Sequence, residues 1–159
     1  MIKIKPEHYV DTIIYSIDKV LKNVKTELRQ KLDTMNFGIT SEQFVVLDTI
    51  SCFDNIYQQK LSEIIMKDKS NTNRILKLLE QKGLITKEYG SVNNRLVYFL
   101  KITPEGQKIV DAAIPKMKQF ITEIFTNIND NEIELLHSLS AKFQSDLVHY
   151  ADEERALPD

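Results

Sequence analysis

Cysteine occurs once, at Cys52, so no intrachain disulfide can form. Histidine occurs three times, at His8, His137 and His149, too scattered for a Cys/His cluster of metal-ligand spacing. No apolar run approaches the roughly 20 residues that cross a bilayer, and the opening MIKIKPEHYV lacks the apolar stretch of a secretory signal. These absences lead to the expectation of a cytoplasmic protein with no membrane partner. There is also no glycine-rich phosphate loop, no Ser/His/Asp spacing and no carboxylate pair in a recognisable context, so no enzyme activity, metal or cofactor is expected. Internal repeats, linkers and low-complexity tracts are missing as well.

What is there suits one compact domain, or a small domain with a dimerising part: 159 residues, 42% hydrophobic and 28% charged. The net charge of −2 hides an uneven distribution. Between Lys60 and Lys101 stand nine bases (Lys60, Lys67, Lys69, Arg74, Lys77, Lys82, Lys87, Arg95, Lys101) and four acids (Glu63, Asp68, Glu80, Glu88), a local +5 that leaves −7 for the rest of the chain. A basic middle lies between acidic flanks.

Apolar spacing of three and four from about Glu7 to Met35 (Ile13, Ile14, Ile17, Val20, Leu21, Val24, Leu28, Leu32) predicts a long amphipathic helix. At about 1.5 Å per residue it would be roughly 40 Å long, more than a small domain covers, so it should pack in a bundle or a dimer. Thr40-Ser41-Glu42-Gln43 has the form of a capping box and should open a helix over 41–52 that buries Phe44, Leu47 and Ile50. A few extended residues around Ile56 should precede a short helix, 58–66, burying Leu61, Ile64 and Ile65. Asp68 as N-cap and Gly83 as the residue beyond the C-cap bound a helix over 69–82. Two short helices and a tight turn, the second polar at its front, make a helix-turn-helix. The period then changes to two: residues 84–89 and 95–102 read as a hairpin, with Leu96, Tyr98, Leu100 and Ile102 on one face and GSVNN as a projecting loop. Thr103-Pro104 caps a helix running to about Ile128, which Pro115 should bend rather than end. A last helix is expected from Ile133 to Tyr150, with a frayed tail ADEERALPD.

On a helical wheel Ile75, Asn71, Thr72, Leu78, Leu79 and Lys82 fall near one side, and Ser70, Asn73, Arg74, Lys77 and Gln81 opposite, with no carboxylate among the latter. An arginine fork suits N7 and O6 of guanine and an asparagine amide suits adenine, so Arg74 and Asn73 have base-reading chemistry. Ser70 and Asn71 at the positive helix end suit phosphate oxygens, with Lys69 and Lys77 adding charge. The competing reading is a solvated basic face whose polar groups touch nothing. Arg95, behind the loop, suits a minor groove, against a surface arginine paired with Glu88 across the hairpin. Helix, turn, helix and β wing together give a fold that is mainly α with a small β-hairpin wing: a winged helix-turn-helix domain plus a helical dimerisation domain.

Three stretches carry a family resemblance over nearly the whole chain. ITSEQFVVL is similar to L-T-x-x-Q-F-x-x-L, LSEIIMKDKSNTNRILKLLEQKGLI to L-A-x-x-L-x-x-D-x-S-x-x-T-R-x-v-x-x-L-e-x-x-G-L-I, and NNRLVYFLKITPEG to D-x-R-x-x-x-v-x-L-T-x-x-G. These are motifs of MarR-family transcriptional regulators, which the chain resembles. The resemblance implies double-stranded DNA as partner, with Ser70, Asn71, Asn73, Arg74 and Lys77 on the recognition helix and Arg95 as the wing arginine. It implies a homodimer, with residues 1–38 as an N-terminal dimerisation helix, 39–103 as the DNA-binding domain and 104–159 as C-terminal dimerisation helices. It also implies release from a pseudo-palindromic promoter by a small phenolic or anionic effector. Tyr9, Tyr15 and His8 on the first helix are weighed as effector contacts against core or dimer packing. The sequence departs from the family at Asn93, where an acid usually orients the wing arginine, at Ser62 for Ala, at Asn73 for Thr, and at Lys87 for Arg, a point charge toward phosphate instead of a fork. Some members sense oxidants through a thiol, but Cys52 lies near a helix C-terminus with Asp54 close by, which favours an inert thiol. A rival from another class is a dimeric winged-helix module that binds protein and no DNA.

Overall fold

The computed structural model describes residue 8 and residues 12–92 and 94–156, with side chains described as far as Tyr150. The chain divides into two compact units, residues 1–118 and 119–159, each described here by itself. In chain order the elements are α1 (Ile13–Thr34), α2 (Ser41–Ser51), β1 (Ile56–Tyr57), α3 (Gln58–Ile64), α4 (Lys69–Gln81), β2 (Ile85–Val92), β3 (Arg95–Ile102), α5 (Pro104–Ile124) and α6 (Asp130–Ala156).

Capping chemistry sets most of the ends. The Thr12 hydroxyl accepts from the Tyr15 amide (3.2 Å), which starts α1 at Ile13. The expected earlier start therefore fails at the cap; apart from His8, the rest of that span lies outside the described residues. The capping box of α2 forms as expected: Gln43 N donates to Thr40 Oγ1 (3.2 Å) and Thr40 N to Gln43 Oε1 (3.1 Å). α3 is shorter than expected, and it buries Leu61 but leaves Ile64 exposed and Ile65 half-buried. The reason is Met66, left-handed at φ 51°, where the amides of Met66 and Lys67 turn back to the carbonyls of Glu63 and Ser62. Ile65 still packs against the core beside that turn, while Ile64 lies outside it.

α4 sits on α2 and α3 through Thr72, Ile75, Leu76 and Leu79, each at most 1% exposed. Leu76, absent from the expected buried set, is fully buried, and Leu78 is only half-buried. The wheel centred on Ile75 missed this because two neighbouring helices cover a wider wedge of α4 than one would. At the other end Gly83, at φ 69°, is the expected residue beyond the cap: its amide bonds Glu80 O and the Leu84 amide bonds Leu79 O.

The hairpin corrects a second expectation. β2 and β3 pair antiparallel from Ile85↔Ile102 out to Val92↔Arg95, so only positions 93 and 94 connect them and GSVNN is no projecting loop. Asn94 takes φ 60°, which asparagine tolerates in a tight turn; Asn93 lies outside the described residues. Gly90 is a strand residue because the Phe99 ring lies over it, and a Cβ there would stand 2.3 Å from Phe99 Cε2. β1 adds to the free edge of β3, giving the order β1-β3-β2. Leu100 and Ile85 face the core, whereas Leu96 (85% exposed) and Tyr98 continue the same face beyond it.

The core of the first unit joins Val46, Leu47, Ile50, Ile56, Leu61, Leu84 and Val110 to the buried face of α4, and a second cluster joins Leu32, Phe44, Ala113 and Met117. α5 runs through Pro115 as expected but ends at Ile124 rather than near Ile128. In the second unit a reciprocal cap, Glu132 N to Asn129 Oδ1 (3.2 Å) and Asn129 N to Glu132 Oε2 (2.9 Å), starts α6 at Asp130, three residues before the expected start. The helix continues to Ala156, so the tail from Ala151 to Ala156 is helical instead of frayed.

Met66 is 84% exposed, so its left-handed backbone is held by the turn and not by side-chain packing. Met66→Gly should raise stability by up to about 1 kcal/mol in urea denaturation, the relieved strain exceeding the extra chain entropy of glycine.

Candidate DNA-binding surface

Three elements position the surface. Asp68 Oδ1 accepts from the Asn71 amide (2.8 Å), and Thr72 Oγ1 donates to Asp68 O (2.9 Å), fixing the front of α4. Gln58 Nε2 donates to Lys69 O (3.3 Å), tying the start of α3 to the start of α4. With Thr72 and Ile75 buried, Ser70, Arg74 and Lys77 are exposed on the opposite side and Asn73 is half-buried at its edge.

Much of the basic segment is engaged within the chain, by three ion pairs and by bonds to neutral oxygens. Lys60 pairs with Glu63 (3.5 Å), Lys67 with Glu42 (2.7 Å) and Lys87 with Glu80 (2.5 Å). Lys82 donates to Gly38 O, and Lys101 donates to Asp54 O and Asn55 Oδ1. Arg74 is partly engaged: Nη2 donates to Asn71 Oδ1 (3.0 Å) and lies 3.9 Å from Glu42 Oε2. Asn71 is thereby both the acceptor for Arg74 and the donor to Asp68. Lys87, expected as a charge toward phosphate, pairs with Glu80 in the single chain. Among the described residues, the side chains of Lys69, Ser70, Asn73, Lys77 and Arg95 make no hydrogen bond or ion pair.

Arg95 lies one pair from the wing tip, opposite Val92, and lines a groove of about 430 Å³ with Tyr57, Gln59, Val92 and Val97. Glu88 pairs with Phe99, four positions from Arg95 along the strand, so the cross-hairpin ion pair does not form. On the other face of the wing Tyr98 Oη donates to Tyr89 Oη (2.8 Å), with ring centroids 4.6 Å apart; this bond, which uses the phenol proton, pushes the Tyr98 hydroxyl up from its usual range. Cys52 caps the exposed C-terminus of α2, as its position implied. Of the three residues weighed as effector contacts, Tyr15 is exposed on α1, His8 precedes the helix and Tyr9 lies outside the described residues.

Sequence reasoning missed Glu42. It stands 25 positions before the lysine it binds, so no local spacing could reveal it; only the packing of α2 beside α4 does.

The family model described as the MarR family matches residues 39–97, the stretch from the start of α2 into the wing. Over that stretch the chain is similar to the winged helix-turn-helix regulators of the MarR family. An uncharacterized HTH-type transcriptional regulator YdgJ of Bacillus subtilis (strain 168) is 24% identical over 110 residues, 69% of this chain and 66% of that protein. The S. aureus MepR–DNA complex shares the MarR fold at TM-score 0.76 and 21% identity, over 88% of this chain and 99% of that one. A MarR variant from E. coli, complexed with operator DNA, superposes at TM-score 0.74 and 23% identity, over 87% and 99%. Among the described residues no helix is long and apolar enough to cross a membrane.

The Glu42 carboxyl is held below its ordinary value of 4.5, chiefly by the hydrogen bond from Lys67, with the charges of Lys67 and Arg74 adding to it. A depressed carboxylate stabilises the fold above its unfolded pKa, and that contribution disappears as pH falls through the folded value. The stability difference between wild type and Glu42→Gln, measured by urea denaturation, should therefore be present at neutral pH and vanish below the ordinary glutamate range.

Proposed function

We propose that the protein acts as a homodimer on a pseudo-palindromic promoter site and is a repressor released by a small phenolic or anionic effector. The observation that carries the reading is the outward face of α4, where Lys69, Ser70, Asn73 and Lys77 keep their donors and acceptors without an intrachain partner, beside Arg74. These side chains are open to solvent along one helix face, and that supports a role for them in meeting an external partner. In this reading Arg74 and Asn73 meet base edges in the major groove, while Lys69, Ser70, Asn71 and Lys77 meet phosphates. Arg95 enters the neighbouring minor groove from the wing tip, where a narrow groove attracts a guanidinium.

Residues 39–103 carry the DNA contacts, and residues 1–38 and 104–159 pair the two copies. Support for pairing comes from each helix separately. α1 exposes Ile13, Ile14, Ile17, Val20 and Leu21, and α6 exposes Leu135, Leu136, Leu139, Phe143 and Leu147 at helical spacing. Stripes of that size call for a covering surface. A two-fold dimer reads an inverted repeat whose half-sites lie about one turn, roughly 34 Å, apart. The effector acts by preferring a dimer with a different separation of its two α4 helices, and shifts binding only by its differential affinity for the two arrangements.

Binding to duplex DNA should weaken steeply with salt, as phosphate contacts release counterions. A protein-binding module would bind duplex weakly at every salt concentration, and that outcome would overturn the reading. Arg74→Ala should cost roughly 1–3 kcal/mol at one base pair per half-site and relax preference there, while Lys77→Ala should weaken all duplexes alike and flatten the salt slope by about one. Competition binding across a set of single-base variants separates the two.

A further inference from the structure

Glu42 sits at the second position of α2, outside the motif residues, and yet touches the recognition arginine. Its carboxylate is anchored from one side by Lys67 Nζ at 2.7 Å, on the turn between α3 and α4, and its other oxygen stands 3.9 Å from Arg74 Nη2. The same Nη2 donates to Asn71 Oδ1 at 3.0 Å. Arg74 is thus held at one nitrogen by a neighbour on its own helix and by a carboxylate from another helix. A guanidinium carries five N–H donors, so one held donor still leaves a fork for the O6 and N7 of guanine.

We infer that Glu42 is a positioning residue for specificity: through Arg74, it presents the guanidinium to a base edge and keeps it from phosphate. The inference rests on the DNA-binding reading above. Two physical effects carry it. A long arginine side chain loses much rotamer freedom when it docks, and a contact that restricts it beforehand reduces that loss for the one geometry it favours. A carboxylate beside the guanidinium also repels a phosphate approaching the same nitrogen, whereas the neutral edge of guanine brings no net charge. Both effects favour base over backbone. Lys67 keeps the carboxylate in place, which is why it makes no direct contact with DNA in this arrangement.

The test uses full-length protein, a duplex that the wild type selects from a random library, single-base variants of it, and a scrambled duplex. Glu42→Gln should reduce discrimination at the base pair read by Arg74 by about five- to tenfold and raise affinity for the scrambled duplex. In an Arg74→Ala background the same change should leave base preference unaltered, which a merely structural role for Glu42 would not require. The capping box uses Thr40 and Gln43, so the variant should keep the helical circular dichroism of wild type. Unchanged discrimination in Glu42→Gln overturns the inference, as does a shift that persists without Arg74. Failure of the underlying reading looks different: wild type itself would then bind selected and scrambled duplexes equally or neither.

Discussion

The junction at Gly83 governs how α4 and the wing lie relative to each other. α4 ends there because Gly83 turns left-handed, and the next residue, Leu84, is buried and leads directly into β2. Thr103, nineteen residues beyond Leu84 at the far end of the hairpin, closes on the same spot. Its hydroxyl donates to Gly83 O (2.7 Å) and accepts from Gly106 N (3.1 Å), and its amide donates to Leu84 O (3.1 Å). Gly106 fits against Leu84 O only because it has no Cβ, which would meet that oxygen at 2.3 Å. One threonine hydroxyl therefore fastens the end of α4, the base of the wing and the start of α5. The angle between wing and α4 follows from that fastening, since each departs from it in a fixed direction.

Around this frame, charge is distributed by pairing rather than by abundance. Nine bases in the middle segment look like a broad positive surface, but Lys60, Lys67, Lys82, Lys87 and Lys101 are bound within the chain and Arg74 is partly held. Exposed ion pairs of this kind contribute little stability. They leave Lys69, Lys77 and Arg95 as the cations of that segment whose side chains have no partner among the described residues. A few localised cations discriminate between positions on a duplex better than a uniform basic patch.

The apolar residues separate in a similar way. Those of α2, α4 and the sheet disappear into one cluster, whereas the stripes on α1 and α6 stay exposed in a single chain. The capped start of α1 at Thr12 and that of α6 at Asn129 show that both helices are specified locally, without needing a neighbour to define their ends. Their exposed faces are what a second copy would cover.

Sequence alone determined whatever depends on near neighbours. The capping box at Thr40, the Asp68 cap, the left-handed Gly83, the Thr103-Pro104 start and the alternation of β3 are all interactions over a few residues, and each is legible as spacing. The outward placement of Ser70 and Lys77 followed from helical period in the same manner. Tertiary structure decided the rest, because the responsible groups are distant in the chain. The reach of the hairpin depended on the Phe99 ring lying over Gly90, which turned an apparent loop residue into a strand residue. The burial of Leu76 depended on two helices covering α4 at once. Arg74 bonds Asn71 within its own helix, but the carboxylate beside it, Glu42, is brought from another helix. A period or a motif reports which face a residue occupies; only the folded chain reports which partner already waits there.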